Sequence, residues 1–264
     1  MDMQDKLKLL KDKIRSYDRL AIAFSGGVDS TFLLLAANSV LGSGALAVTA
    51  SAPHFAPDEL QEAKQLCEDH DIPQLVISLD ETVTDTFAHN PVDRCYICKK
   101  AMFSFIKEAL GDMPLADGTN ADDKDDYRPG RRALKELGVI SPLEEVGFTK
   151  AEIRKALAAM NIKIWDKPAY ACLASRIPYG EMITPEKLAA VYRAEKALKE
   201  LGFTQVRVRH HGDVARIEVL PEERHKFFDE KFMDRVNEEV KKAGFTYAAL
   251  DLGGYVKGSL NSNI

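Results

Sequence analysis

The hydrophobic positions in the first two-thirds of the chain follow two spacings, one typical of buried strands and one typical of helices. Continuous apolar runs predict strands at Leu20–Phe24, Ala45–Ala50, Pro73–Leu79 and Pro114–Ala116. Apolar residues at helical spacing predict helices over 5–16, 29–41, 57–70, the stretch before Gly111, and 149–160. Strands that alternate with helices predict the α/β class, with a parallel sheet covered by helices on both faces.

The last third of the chain shows a different order of elements. Thr184 and Pro185 are typical of a helix start, and Gly202 is typical of a helix end. Beyond this helix the pattern predicts strands at Gln205–Arg209, Val214–Leu220 and 246–252, and one long helix over 221–242. We therefore predict two domains, an α/β domain over 1–178 and a small α+β domain with an antiparallel sheet over 179–264.

A turn of small residues, Ser25–Thr31, joins the first predicted strand to the helix that follows it. Its glycines allow a phosphate to approach the backbone, and the N–H groups and dipole of a helix N-terminus favour an anion. The turn is not a Walker A loop, which has four residues between its glycines and then a lysine. The alternative is an ordinary glycine turn of an α/β protein.

The sequence of this turn, SGGVDS, resembles the SGGxDS signature of the PP-loop ATP pyrophosphatases. Those enzymes cleave ATP between the α- and β-phosphates and adenylate a substrate. The resemblance implies a PP-loop fold and an ATP site with these candidate contacts: Ala23, Ser25, Gly26, Gly27, Asp29, Ser30, Thr31, Ser51 and Gly118.

Two of these candidates lie outside the turn, at the ends of later predicted strands. Ser51 follows the second strand, and Gly118 lies in an Asp-Gly-Thr-Asn sequence at 117–120. Ligands of α/β proteins bind beyond the carboxyl ends of the strands, although the same residue types also favour solvated turns. The acidic loop at 122–126 is a candidate for Mg²⁺ on the phosphates, with a solvated charge cluster as the alternative.

Composition narrows the range of partners. The chain has 264 residues, a net charge of −5 and a pI of about 5.8, and it lacks the basic excess of a nucleic-acid binder. It begins without a signal-peptide pattern and contains no apolar run of membrane-spanning length. We therefore expect a cytoplasmic protein with no nucleic-acid or membrane partner.

The four cysteines fall into two groups. Cys67 shares the apolar face of a predicted helix, which is typical of a small core residue. Cys95 and Cys98 form a C-x-x-C pair with basic neighbours, and Cys172 lies further along the chain. A redox dithiol, part of a zinc site, an iron–sulfur site and unrelated thiols are all compatible with this pattern. Three thiolates suit a [4Fe–4S] cluster with one iron that has no protein ligand.

Further motifs make the resemblance more specific. The turn at Ser25–Thr31 is called the phosphate turn below. Together with it, four segments resemble the LarE family of ATP-dependent sulfur insertases: Asp126–Gly130, Ser175–Gly180, Arg207–Arg209 and Leu250–Gly254. This family acts in the biosynthesis of the nickel-pincer nucleotide cofactor. Its members adenylate a carboxylate of pyridinium-3,5-biscarboxylic acid mononucleotide and convert it to a thiocarboxylate.

The family has two branches, which differ in their cysteines. In one branch, a single sacrificial cysteine precedes the position of Cys172 and donates its own sulfur. Here that position is Ala171, and the Cys95–Cys98 pair is one that the sacrificial branch lacks. The pattern resembles the other branch, which binds a [4Fe–4S] cluster. The resemblance therefore implies that Cys95, Cys98 and Cys172 are cluster ligands and that a sulfide held on the cluster is the sulfur donor, which permits multiple turnovers.

The resemblance also implies roles for charged residues. Arg207, Arg209 and Glu195 match the family's positions for binding the substrate phosphate. Lys99 and Arg176, beside the cysteines, are candidates for stabilising negative charge in the reaction. Family members form homo-oligomers, and a separate sulfide source is expected as a partner. The alternatives are a cluster-dependent tRNA thiolase and a non-catalytic nucleotide-binding or zinc-stabilised interaction protein.

Overall fold

The protein is described from a computed structural model, in which residues 1–79, 81–124, 129–167 and 172–256 are described. The chain forms two compact units. The first comprises 1–52, 57–86 and 93–170, and the second comprises 53–56, 87–92 and 171–264. The second unit therefore takes in three segments that the sequence assigned to the first domain. No helix among the described residues is long and apolar enough to cross a membrane.

The first unit contains the alternating strands and helices that the sequence predicts. Its strands are β1 Leu20–Ala23, β2 Ala45–Ser51, β3 Gln74–Ser78 and β4 Leu115–Ala116. Its helices are α1 Met3–Arg15, α2 Val28–Leu41, α3 Pro57–Asp69, α4 Glu81–Asp85, α5 Arg94–Leu110, α6 Pro129–Glu136, α7 Pro142–Val146 and α8 Lys150–Ala159. The capping box expected at the start of α8 is present, since Thr149 and Glu152 bond each other's backbone N–H groups.

The four strands form a parallel sheet in the order β3-β2-β1-β4. The chain runs from β1 outward to β2 and β3, and then returns to place β4 on the other side of β1. The strand order therefore reverses between β1 and β4. Ligands of open α/β sheets bind beyond the carboxyl ends of the strands at such a switch point. The phosphate turn follows β1, and the Asp117–Asn120 turn follows β4.

Helices cover both faces of this sheet, as the sequence predicts. On one face, Leu20 and Ile22 pack in a cluster with residues of α1 and α2. On the other face, Ala21 packs with Phe103 of α5 and Leu134 of α6. Adjacent residues of β1 thus point to opposite apolar layers, which is why the strand is a continuous apolar run.

The second unit contains β5 Val206–His211, β6 Val214–Val219, β7 Tyr247–Leu250, α9 Pro185–Glu200 and α10 Glu230–Lys242. β5 and β6 pair in antiparallel fashion, but β6 and β7 are parallel. The prediction of an antiparallel sheet is therefore wrong for β7. The connection through α10 brings the chain back to the end of the sheet at which β6 began, so the two strands run in the same direction.

The prediction of one long helix over 221–242 is also wrong. Pro221–Phe228 forms a 3₁₀ helix, and α10 begins after Asp229. The Asp229 carboxylate accepts hydrogen bonds from the N–H groups of Lys231 and Phe232, at 2.9 and 3.3 Å. This side-chain cap starts a new helix and interrupts the apolar spacing that suggested a single one.

Candidate active site

The turn between β1 and α2 is held in shape by its own serines. Gly26 has a φ of +68°, a conformation that favours glycine. The Ser30 hydroxyl donates to the Gly27 carbonyl at 3.1 Å and lies 3.2 Å from the Ser25 hydroxyl. Because α2 begins at Val28, its first N–H groups have no acceptor within the helix. The turn therefore presents hydrogen-bond donors to an anion.

The turn after β4 lies directly against this phosphate turn. A Cβ added at Gly118 would lie 2.8 Å from the Ser30 nitrogen, so only a glycine fits there. The Asp117 carboxylate fixes the turn by accepting hydrogen bonds from the hydroxyls of Thr119 and Ser141, the latter at 2.6 Å. The close backbone approach brings the ends of β1 and β4 together.

Asp29 is the acidic group of this site. One carboxylate oxygen accepts a hydrogen bond from Lys150 at 2.5 Å, and the other, Oδ1, is buried with no well-formed hydrogen bond among the described residues, although the Asn120 side chain lies close to the carboxylate. Burial raises the pKa of Asp29, Lys150 lowers it, and the nearby charge of Asp123 raises it further, with a net rise. A buried oxygen with no well-formed hydrogen bond, beside a second carboxylate, fits the oxygen ligands that Mg²⁺ takes.

The cysteine pair lies at the N-terminus of α5 in the first unit. Cys95 is exposed and Cys98 is half-buried, and a spacing of three places them on one side of the helix. The N-terminus of a helix favours a thiolate. Lys99 packs against Gly130 at the start of α6, where an added Cβ would lie 2.5 Å from the lysine chain. The exposed Cys95 is thus accessible to a ligand, and Lys99 follows Cys98 directly in the chain.

Cys172 lies in the second unit, and its segment is hydrogen-bonded to the backbone of the buried His54. Its Sγ donates to the His54 carbonyl at 3.4 Å, and the Leu173 N–H donates to the same oxygen at 3.0 Å. The His54 ring is fully buried against Phe55 and Phe87. Burial lowers the pKa of His54 to about 4, so the ring is neutral at pH 7.

Arg176 connects the cysteine segment to the sheet of the second unit. Its guanidinium makes two hydrogen bonds to Glu195, at 2.7 and 2.9 Å, and a third to the Cys172 carbonyl at 3.1 Å. Glu195 also accepts the N–H of Val208 in β5, at 3.0 Å. Burial opposes ionisation of Glu195, but the charges of Arg176 and Arg207 and the hydrogen bonds from Arg176 and Val208 together outweigh it and lower the pKa of Glu195. A bidentate pair of this kind is geometrically specific.

Arg207 and Arg209, expected on one face of β5, are both buried. Arg209 donates to the Ser175 carbonyl at 2.9 Å and to Glu218 at 2.8 Å. Arg207 lies over the Tyr255 ring, 5.4 Å from its centre, and both burial and the neighbouring charge of Arg176 lower its pKa. Glu218 also pairs with Arg216 at 3.1 Å, and Arg216 pairs with Asp251 at 2.5 Å. Together with Arg176 and Glu195, these residues make a cluster of four guanidiniums and three carboxylates, which has a formal charge of +1.

The structure assigns the predicted site residues to two groups, one in each unit. The first unit holds the candidate ATP contacts, Lys99, Cys95 and Cys98, and the second holds Cys172, Arg176, Glu195, Arg207 and Arg209. Thr31 is completely buried in α2, and Ser51 ends β2, on the side of β1 away from β4. In the predicted segments, Asp126, Tyr127, Arg128 and Ala171 lie outside the described residues. No three His, Cys, Asp or Glu side chains of the described ranges are grouped to hold a metal ion.

Sequence reasoning missed several residues of these sites. Lys150 and Lys167 contact the phosphate turn from more than 100 residues away in the chain. Glu218 neutralises Arg209 from the neighbouring strand, and Asn90 binds the carbonyls of Ile177 and Pro178. The alternation of side chains along β6 indicates the face of the strand on which Glu218 lies. No local sequence pattern identifies Lys150, Lys167 or Asn90 as residues of a site.

Three features of the first unit define the class of protein. They are the parallel sheet, the glycine turn and the helix N-terminus at the switch point, and together they match the PP-loop nucleotide-binding fold. No protein-family model matches the chain.

Curated relatives identify the family. The chain is 38% identical over 255 residues to the pyridinium-3,5-bisthiocarboxylic acid mononucleotide synthase of Lactiplantibacillus plantarum, covering 95% of this chain and 92% of the relative. It is also 41% identical over 262 residues to an uncharacterised protein of Synechocystis sp., covering 98% of each chain. It is 28% identical over 249 residues to one of Methanocaldococcus jannaschii, covering 93% of this chain and 94% of the relative. The chain belongs to the LarE family of the first relative and is an enzyme.

The Gly118 contact gives a prediction about stability. Gly118→Ala places a methyl group against the backbone of α2, which cannot move aside, so we expect a loss of about 1–3 kcal/mol in the free energy of unfolding. Gly130→Ala is the control, since the one close contact of its methyl group is with a lysine chain that can shift, and its distance to the Cys95 carbonyl, 3.4 Å, is an ordinary contact. Urea denaturation of both variants measures the difference. Equal stability of Gly118→Ala and the wild type would contradict the close approach.

The buried His54 gives a prediction about pH. Its pKa is about 4 in the folded protein and about 6.5 when unfolded, so the unfolded chain binds the proton first as the pH falls. Between pH 7 and pH 5 this linkage removes about 2 kcal/mol of stability. His54→Phe should lose about 2 kcal/mol less than the wild type over that range, measured by urea denaturation at both pH values. The exposed His225→Gln should behave as the wild type, and an unchanged pH dependence in His54→Phe would refute the linkage.

Proposed function

We propose that this chain is an ATP-dependent sulfur insertase in the biosynthesis of the nickel-pincer nucleotide cofactor. It adenylates a carboxylate of pyridinium-3,5-biscarboxylic acid mononucleotide, releases pyrophosphate and then forms a thiocarboxylate. The observation that carries the proposal is the 38% identity, over 95% of the chain, to a synthase whose name specifies the bisthiocarboxylic mononucleotide. The phosphate turn at the switch point supplies the ATP chemistry that such a reaction needs.

Adenylation takes place at the turn formed by Ser25–Thr31. An oxygen of the substrate carboxylate forms a bond to the α-phosphorus of ATP, and the bond from that phosphorus to the bridging oxygen breaks. The electron pair of that bond leaves with pyrophosphate. The N–H groups at the start of α2 receive the leaving anion, so catalysis consists of positioning and charge stabilisation. Asp29 and Asp123 would hold Mg²⁺, which supplies further positive charge on the phosphates.

The charge cluster of the second unit binds the substrate phosphate. Arg207 and Arg209 supply the guanidiniums, and the formal charge of +1 on the cluster favours an added anion. Glu195 acts through Arg176, whose guanidinium it holds in one orientation beside the carbonyl of Cys172. Glu195 is therefore a positioning residue and does not itself touch the phosphate.

The sulfur comes from the site of the three cysteines. Cys95 and Cys98 would hold a [4Fe–4S] cluster together with Cys172, and such a cluster would supply the sulfide that replaces the adenylate. The exposure of Cys95 and the helix N-terminus suit thiolate ligands, whereas Cys67 is buried in the core and burial raises its pKa to about 11. Lys99 and Arg176, next to these thiols in the chain, stabilise the negative charge that develops as AMP leaves.

The test of this function separates activation from sulfur transfer. The protein is reconstituted anaerobically with iron and sulfide and assayed with ATP and the dicarboxylated mononucleotide. We expect iron binding, pyrophosphate release and thiocarboxylate formation. Cys95→Ser, Cys98→Ser and Cys172→Ser should each lower thiocarboxylate formation by more than about 100-fold and reduce bound iron, because a ligand is lost, but should retain pyrophosphate release.

Cys67→Ala is the matched control and should retain both steps. An iron-free protein that still forms the thiocarboxylate would contradict the cluster. Retained thiocarboxylate formation in Cys95→Ser or Cys98→Ser would contradict it too, and would shift the sulfur chemistry to Cys172. Salt-sensitive binding and thiolation of tRNA, without reaction of the mononucleotide, would support the tRNA thiolase alternative.

A further inference from the structure

The phosphate turn of the first unit lacks a cation of its own. Ser25–Thr31 contains one charged residue, Asp29, and that residue is acidic. A triphosphate is a polyanion, and other nucleotide-binding loops place a lysine within the loop to meet it. If the proposed use of ATP is right, the positive charge must come from another part of the chain.

Lys167 lies near the C-terminal end of the first unit in sequence, and its side chain contacts this turn. Its Nζ donates to the Gly26 carbonyl at 3.1 Å, and its side chain is only 12% exposed. The backbone of Lys167 is fixed by two hydrogen bonds, one from its N–H to Ile164 at 3.0 Å and one to its carbonyl from Arg154 at 2.8 Å. The ammonium group is therefore held beside the residue at which the phosphate turn changes direction.

The carboxylate partner of Lys167 is weakly held. Lys167 pairs with Glu62 of α3, and although the lysine side chain is largely buried, that of Glu62 is 53% exposed, so water can replace the lysine as the partner of this carboxylate. Lys150, the other lysine at the turn, is bound to the carboxylate of Asp29, which is itself part of the phosphate turn. A phosphate oxygen can replace the half-exposed Glu62 as the partner of Lys167, whereas Lys150 would have to leave a carboxylate that belongs to the turn itself.

We propose that Lys167 is the residue that binds the β- and γ-phosphates of ATP and the pyrophosphate that leaves. This inference rests on the proposed function, because it assigns a cation to the same ATP site. Lys167 keeps its proton throughout. As the bond between the α-phosphorus and the bridging oxygen breaks, the electron pair passes to the pyrophosphate, and the ammonium stabilises the added negative charge.

Binding measurements on three ligands test the proposal. ATP, pyrophosphate and AMP are titrated by calorimetry into the wild type, Lys167→Met and the control Lys163→Met, an exposed lysine of the adjacent 3₁₀ helix. We expect Lys167→Met to weaken ATP and pyrophosphate by about 10- to 100-fold, the effect of one charge-assisted hydrogen bond. AMP lacks the contacted phosphates, so its affinity should change by less than about threefold, and Lys163→Met should match the wild type.

A further variant separates phosphate binding from a structural role. Glu62→Gln removes the carboxylate partner of Lys167 but keeps the lysine, so it should bind ATP at least as tightly as the wild type. Lys167→Arg should recover part of the affinity. The proposal fails if Lys167→Met binds ATP normally, if AMP weakens as much as ATP, or if Glu62→Gln loses as much ATP affinity as Lys167→Met. A wild type that binds none of the three ligands would overturn the proposed function, and this inference with it.

Discussion

The proposed ATP site depends on the close approach of Gly118 to the backbone at Ser30. This contact joins the turn after β4 to the turn after β1, the two strands between which the order of the sheet reverses. The parallel sheet alone would leave the two turns as neighbours. A backbone separation too small for a Cβ makes them one rigid surface, with the N–H groups of α2 on one side and the Asp117–Asn120 turn on the other. Pre-positioned donors of this kind stabilise charge without reorganising.

The second unit uses a different device, a buried cluster of opposite charges. Arg176 and Arg209 are each held by a carboxylate, and Glu195 in turn binds the backbone of β5. Burial of such groups is costly, so the cluster is poor evidence for stability. Its value is geometric, because the bidentate pair fixes Arg176 against the carbonyl of Cys172 while β5 fixes Arg207 and Arg209 in register. Removal of one partner would leave a buried charge uncompensated.

The sequence predicts most of what is local and little of what is distant. The glycine turn, the capping box of α8 and the burial of Cys67 were predictable because neighbouring residues determine them. The break before α10 was missed, since it depends on the side-chain cap of Asp229 and no glycine or proline marks it. The parallel pairing of β7 depends on where a whole helix returns the chain, and no short pattern records that.

The same distinction between local and distant residues applies to the two lysines of the proposed ATP site. A Walker A loop contains its lysine, so its charge and its donors are formed by one stretch of chain. Here Lys150 and Lys167 belong to the segment around α8, whereas the donors belong to α2. Phe32 of α2 packs with Phe148, which precedes α8, and with Ile153 of α8, and this packing holds the start of α8 close to the turn. The proposed nucleotide binding therefore depends on the tertiary fold of the first unit as well as on the sequence motif of the turn.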